Sequence, residues 1–149
     1  MTNQAQTGPG RMTTQEIEQF LALPRTIMVA ALRKDGRPQM TPNWFIWKDG
    51  AFYISTTKTR AKYRNLKRDP RVQLALDEPE GFRTVIVDGK AEIFENIDEF
   101  IPYSRAISIK HSGQTPDEQA LRRRLEQEQR VILKITPDKP IEDWLTWKR

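Results

Sequence analysis

The sequence predicts a mainly β fold, a closed or partly closed antiparallel barrel with helices inserted at two places, and three observations carry that reading. Apolar runs of strand length recur along the chain, short turns rich in Asp, Gly and Pro join most of them, and helical periodicity interrupts the strands in two places. That order does not suit a βαβ sheet, in which every strand would be followed by a helix. A length of 149 residues suits one domain with one core, so a composite site would need a second copy of the chain.

Residues 1–12 are polar and include Gly8, Pro9 and Gly10, which reads as a disordered lead-in to one domain over residues 13–149. This stretch lacks the apolar centre of a signal peptide, and no run approaches the ~20 apolar residues that span a bilayer. A soluble cytoplasmic protein with no membrane partner is expected. Thr13-Thr14-Gln15-Glu16 opens a short amphipathic helix, a Thr cap followed by Glu, with Ile17, Phe20 and Leu21 on one face; Pro24 stops it. Thr26 to Leu32 is a buried strand bounded by Lys34-Asp35-Gly36, and Pro38 to Lys48 returns beside it. Asp49-Gly50 then marks a hairpin into Ala51 to Ser55.

Thr59 is placed to cap a helix from Arg60 to about Arg68, which Asp69-Pro70 closes. In the strand that follows, Val72, Leu74 and Leu76 share one face. After the turn at Glu78 to Gly81 comes a strand through Thr84 to Val87, which Ala91 to Phe94 continues or pairs with past a possible bulge at Gly89. Two helices are expected between Ile97 and Gln129, broken near Gly113 and Pro116, then a last strand at Val131 to Ile135. The tail with Trp144 and Trp147 must pack on something.

Composition removes several chemistries. The chain has no cysteine, so thiolate nucleophiles, disulfides and Cys-ligated zinc are out, and its one histidine, His111, cannot build a histidine metal site. His111 reads as a surface or capping residue. No Ser-His-Asp set or positioned carboxylate pair is evident, and no catalytic residue is assigned. The net charge of +5 calls for an anionic partner, and where the charge sits narrows the choice. Arg122, Arg123 and Arg124 lie among acidic residues and read as a solvated helix face. Lys58 to Arg71 is different, with only Asp69 to balance it.

Ser55, Thr56, Thr57, Lys58, Arg60, Ala61 and Lys62 form the most informative segment. A strand end delivers hydroxyls to the point where a helix begins, and the free N–H groups of that helix point back at the same spot. Cations there oppose the helix dipole, at about 0.3–1 kcal/mol each, unless an anion is bound. A phosphate would reverse the sign, gripped by the Arg fork with Lys as a point charge. Thr41, Pro42, Asn43 and Trp44 form a second informative run, because Pro42 inside a strand removes a ladder donor and suggests a place where a planar ring lies against the backbone. Aromatic residues are not interleaved with the cations, so nucleic acid is not the expected partner.

Asp35-Gly36-Arg37-Pro38-Gln39, Thr41 to Phe45, Asp49 to Thr57, Arg60 to Leu66 and Asp69-Pro70-Arg71-Val72, in that order, resemble the pyridoxamine 5′-phosphate oxidase-like split-barrel superfamily, and within it the branch of oxidoreductases that use the deazaflavin coenzyme F420. The resemblance implies a six- to seven-stranded antiparallel split β-barrel that forms a homodimer, with two cofactor sites at the subunit interface. It implies that Arg60 and Lys62 contact the cofactor phosphate, with Thr56, Thr57 and Lys58 beside them, and that the strand through Thr41 to Trp44 lies along the ring. Coenzyme F420, which carries an anionic glutamyl tail, is the cofactor it implies first, and FMN is the alternative. Hydride transfer to an unsaturated small molecule is the implied activity, and a non-enzymatic flavin or haem carrier of the same fold is the rival. The basic and histidine residues of vitamin B6 oxidases near the C-terminus have no counterpart in Ile141 to Arg149.

Overall fold

A computed structural model of the chain describes residues 9–149. The elements run α1 (Thr14–Leu21), β1 (Ile27–Leu32), β2 (Pro38–Asn43), β3 (Phe45–Lys48), β4 (Ala51–Thr57), α2 (Ala61–Arg68), β5 (Arg71–Leu76), β6 (Arg83–Phe94), α3 (Ile97–Ser112), α4 (Glu118–Gln127), β7 (Arg130–Pro137) and β8 (Leu145–Lys148). Among the described residues no helix is long and apolar enough to cross a membrane.

All strand pairs are antiparallel, in the order β2-β1-β5-β6-β7-β4-β3, with β8 added along β6. The two ends of that path are separated in the chain by Trp44 alone, since β2 pairs with β1 and β3 pairs with β4. The run Pro38 to Lys48, expected as one strand, is thus two strands meeting at a bend, and the sheet's two edges are consecutive pieces of the same backbone. This curls the sheet into a split barrel. Asp49 (φ 49°) and Gly50 (φ 79°) both take the left-handed conformation that a tight two-residue hairpin turn requires.

Alternation along the strands sorts the side chains into two cores. Phe20, Val29, Phe45, Phe52, Ile54, Leu74, Leu76, Val87, Leu133 and Ile135 fill the barrel. The opposite face of β3, β4 and β7 presents Ile46, Tyr53 and Ile132 to Phe100, Ile107, Leu121 and Leu125 of α3 and α4. The helical insertion therefore covers one outer flank of the barrel.

Several expectations need correction. Thr84 to Val87 and Ala91 to Phe94 belong to one continuous strand whose register passes through Gly89 without a bulge. Gly89 is there for close approach: a Cβ on it would lie 2.7 Å from the Thr136 carbonyl oxygen. The seven strands of the path agree with the expected barrel; the tail adds β8 beside it, along β6, and buries Trp144 against Trp47 and Phe52. The expected disordered segment 1–12 includes residues that are held: Gly10 bridges to Lys148, and buried Met12 donates its N–H to Thr146 Oγ1 at 3.0 Å. Residues 1–8 of that segment lie outside the described residues.

Because the neighbour of Gly89 is backbone, Gly89→Ala is expected to lower stability by about 1–3 kcal/mol, as overpacking does. The check is the urea midpoint, which should fall with an unchanged m-value. An unaltered midpoint would mean that β6 and β7 separate without strain.

Candidate functional site

The bend at Trp44 leaves Phe45 at the edge of the sheet, where its N–H and C=O would otherwise face solvent. The C-terminal turn of α3 meets them. Lys110 Nζ donates to the carbonyl oxygens of Phe45 (3.1 Å) and Leu21 (2.7 Å) and lies 3.6 Å from the Phe45 ring centroid. His111 Nε2 lies 3.1 Å from Phe45 N and 3.0 Å from its carbonyl oxygen. With Lys110 already on that carbonyl, the tautomer that satisfies every group has Nε2 accepting from the Phe45 N–H. The His111 ring also stacks on Trp44, centroids 5.1 Å apart and planes 6° from parallel. His111 is therefore not the surface or capping residue that its neighbours Ser112 and Gly113 suggest; it is half-buried and fixes the orientation of Trp44.

Trp44 forms one wall of a cavity of about 260 Å³. Pro42 and Asn43 lie beside it, Ser55 and Arg60 enter from the end of β4 and the start of α2, and α3, α4 and the first residue of β7 close the far side. The two informative runs of the sequence thus converge through Pro42, Asn43, Trp44, Ser55 and Arg60. The other expected residues lie elsewhere. Thr56 is fully buried on the barrel face, its Oγ1 without a partner. The Thr57 and Thr59 hydroxyls bond each other at 2.8 Å, so Thr59 does not cap α2; Arg60 occupies the cap position with no side-chain cap bond. Lys58 turns to Glu95 (3.7 Å), which also gathers Lys67 and the Tyr63 hydroxyl, so the basic segment has a second acidic partner besides Asp69. Ala61 faces a shallow groove beside Gln39 and Asn65.

Lys62 lies behind the cavity wall. Its side chain is buried and its Nζ donates to Asn43 Oδ1 at 2.5 Å, while Asn43 Nδ2 donates to the Thr41 carbonyl (2.8 Å) and hydroxyl (3.2 Å). This relay fixes the Asn43 amide at the cavity. Burial, followed by the Arg60 charge, pushes the Lys62 amine down to about 8, and burial does the same to Lys110. Burial also lowers His111, against the nearby Phe45 carbonyl oxygen, which would favour the protonated ring.

The far wall comes from residues that sequence reasoning passed over. Ser104 and Ser108 lie one turn apart on α3 with Ile107 between them, and Arg124, Leu125 and Glu128 come from the end of α4. Gln129 (φ 53°) then turns the chain so that Arg130 also lines the cavity, its Nε donating to Glu128 Oε2 at 2.6 Å. Of the three arginines read as one solvated face, Arg122 pairs with Asp98 (2.9 Å), Arg123 bonds the backbone of its own helix, and Arg124 lines the cavity. A rotation of about 100° per residue parts them. Three guanidiniums and one carboxylate therefore line the site. Among the described residues neither Arg60 nor Arg124 has a carboxylate partner. The lining gives the cavity a net positive charge, which suits a ligand bearing acidic groups.

A family model described as pyridoxamine 5′-phosphate oxidase matches residues 13–141. Among solved structures, an F420 reductase is similar at 28% identity, covering 82% of this chain and 93% of that one, with a TM-score of 0.65. A conserved hypothetical protein from Mycobacterium tuberculosis is 26% identical over 98% of this chain and 90% of its own, with a TM-score of 0.79. A heme-storage protein from Vibrio cholerae shares the fold at 15% identity, covering 85% of this chain and 90% of its own, with a TM-score of 0.68.

The unfolded chain binds more protons than the folded one between pH about 8 and the ordinary lysine value of 10.5, so stability is expected to rise with pH across that window. Urea midpoints measured from pH 7.5 to 9.5 check this, and Lys62→Met should flatten the rise. A flat wild-type profile would show that burial does not penalise the two ammonium groups.

Proposed function

The chain belongs to the pyridoxamine 5′-phosphate oxidase family, and on that premise we propose that it is an oxidoreductase that holds coenzyme F420 at the cavity beside Trp44 and acts on an unsaturated small molecule. The observation that carries this reading is Arg60, a guanidinium on the cavity wall with no anionic partner among the described residues, next to an aromatic and proline surface. Arg60 suits a phosphate through its paired N–H groups, Ser55 adds a hydroxyl, and Lys62, which donates to a neutral amide oxygen, adds positive charge behind Asn43. The likeness to an F420 reductase supports the deazaflavin, while FMN, which ends in a phosphate that the same groups fit, is the alternative. When bound, either cofactor supplies hydride transfer.

The protein's own part is placement. Asn43, oriented from behind by Lys62 and Thr41, keeps one acceptor position on Oδ1 for a donor at the polar edge of a ring. Trp44, held by His111, provides a flat wall and keeps water from one side of the cavity. No side chain need act as a nucleophile, and none is assigned as proton donor.

A homodimer is part of the proposal. Pro42, Met28, Ala75, Ile86 and Leu145 are successive cross-strand partners and form a row on the outer face of β2, β1, β5, β6 and β8. Leu145 is 68% exposed, and exposed Met40, Phe82 and Trp147 add to the apolar surface. Since Pro42 also lines the cavity, a second copy seated on this row would reach the cavity mouth.

Absorbance titration of the purified protein is expected to show micromolar or tighter binding of coenzyme F420 or FMN, weakened at least about tenfold in Arg60→Ala. Wild type that binds neither at micromolar concentration ends the oxidoreductase reading. In sedimentation velocity, wild type should run as a dimer and Leu145→Glu with Met28→Glu as a folded monomer; a wild-type monomer would remove the dimer from the proposal.

A further inference from the structure

The oxidoreductase reading uses the near wall of the cavity and leaves the far wall unexplained. There, Arg124 and Arg130 project from the end of α4 and the start of β7, opposed by Glu128 alone, which is engaged with Arg130. A basic residue in the last turn of a helix is favoured by the dipole, which accounts for an arginine at position 124 but not for its facing a cavity that already contains Arg60. A second observation comes from α3. Ser104 is 5% exposed, it lines the same cavity, and its Oγ has no hydrogen-bond partner among the described residues. A buried hydroxyl without a partner costs on the order of 1–3 kcal/mol, so such groups are normally satisfied.

We infer that Ser104, Arg124 and Arg130 form a second anion subsite, which takes a carboxylate while Arg60 takes the phosphate. Guanidinium suits a carboxylate because its N–H groups match the two oxygens, and the Ser104 hydroxyl supplies one further donor. The charge count agrees where the phosphate is a singly charged diester: one such anion at Arg60 leaves one positive charge unmatched on the lining, and a carboxylate neutralises it. Ile107, Leu125 and Trp44 provide the apolar surface between the two charged ends. Within one subunit the cavity, at about 260 Å³, is just under the range of about 300–1,000 Å³ typical of drug-sized ligands. It suits a small planar acid or the acidic end of a longer molecule. The carboxylate therefore belongs either to the substrate or to the cofactor beyond its phosphate.

This inference rests on the oxidoreductase reading, and the experiment separates the two. Affinities of wild type, Arg124→Gln, Ser104→Ala and, as a surface control, Arg123→Gln are measured for four probes. Two are coenzyme F420 with its glutamyl tail and the same coenzyme without it, titrated by fluorescence. The other two are cinnamate and methyl cinnamate, titrated by calorimetry into cofactor-loaded protein. If the acid is the cofactor's, Arg124→Gln weakens the tailed coenzyme about tenfold and leaves the tail-free form within twofold. If it is the substrate's, the same variant weakens cinnamate about tenfold and spares the methyl ester. Ser104→Ala should act in the same direction by a smaller factor, and Arg123→Gln should change nothing. Arg124 is exposed, so thermal unfolding should confirm an intact fold. Wild type that binds a cofactor while Arg124→Gln and Ser104→Ala leave all four affinities unchanged overturns the subsite alone. Wild type that binds neither F420 nor FMN overturns the oxidoreductase reading and the subsite with it.

Discussion

The end of α3 holds the backbone of Phe45, and the barrel and the cavity both depend on that hold. A strand that starts at one edge of a sheet and finishes at the other must bend, and at the bend its outward N–H and C=O lose their ladder partners. Lys110 and His111 supply them, two adjacent side chains converging on one residue. The same contact stacks His111 on Trp44, so the group that satisfies the bend also sets the angle of the cavity wall. Closing the barrel and shaping the site are one event in this fold, because the residue at which the strand turns is the residue that faces the cavity.

Buried positive charge is the second constraint. Lys62 and Lys110 are both removed from water and hydrogen-bonded to neutral oxygens, an amide in one case and carbonyls in the other. A charge buried in this way is costly, and the cost shows in the downward pull on both amines. At Lys110 the carbonyls of Leu21 and Phe45 and the face of the Phe45 ring repay part of it, tying α1, β3 and α3 together. At Lys62 the return is smaller, since its ammonium donates to one amide oxygen. A negative group near Asn43 would favour the ammonium form there, which is why this lysine gains more from a ligand than Lys110 does.

What was legible in the sequence was mostly local. Asp49-Gly50 announced its hairpin because few other dipeptides accept two left-handed residues, and Val72, Leu74 and Leu76 announced a buried face because strand alternation has a period of two. Thr13 and Glu16 form the capping box that their spacing implied. Arg60 was legible because a cation at a helix start is out of place without an anion. The far wall was not legible, since nothing in Ser55 or Arg60 indicates that Ser104 and Arg124 will close the same space. Arg124 also carries the same local signal as Arg122 and Arg123, and only the rotation of the packed helix tells them apart. Thr59 failed as a cap for a similar reason: its hydroxyl had a nearer partner in Thr57, a competition that a capping pattern does not include.

The fold alone does not choose between an enzyme and a haem carrier, because the chain shares it with a heme-storage protein as well as with an F420 reductase. The donor set bears on the choice. Haem iron is commonly held by histidine, cysteine, methionine or tyrosine; this chain has no cysteine, one histidine, four methionines and three tyrosines, and the histidine is the one whose surroundings bear most directly on the choice. The Nε2 of that histidine is committed to the backbone of Phe45 and its ring lies flat against Trp44, so turning it toward an iron would release both the sheet edge and the cavity wall. A ligand recognised by its acidic groups and a stacked ring asks for no such rearrangement. It needs the guanidiniums and the aromatic wall where they already stand, and this difference in the cost of reorganisation weighs against a haem held through His111.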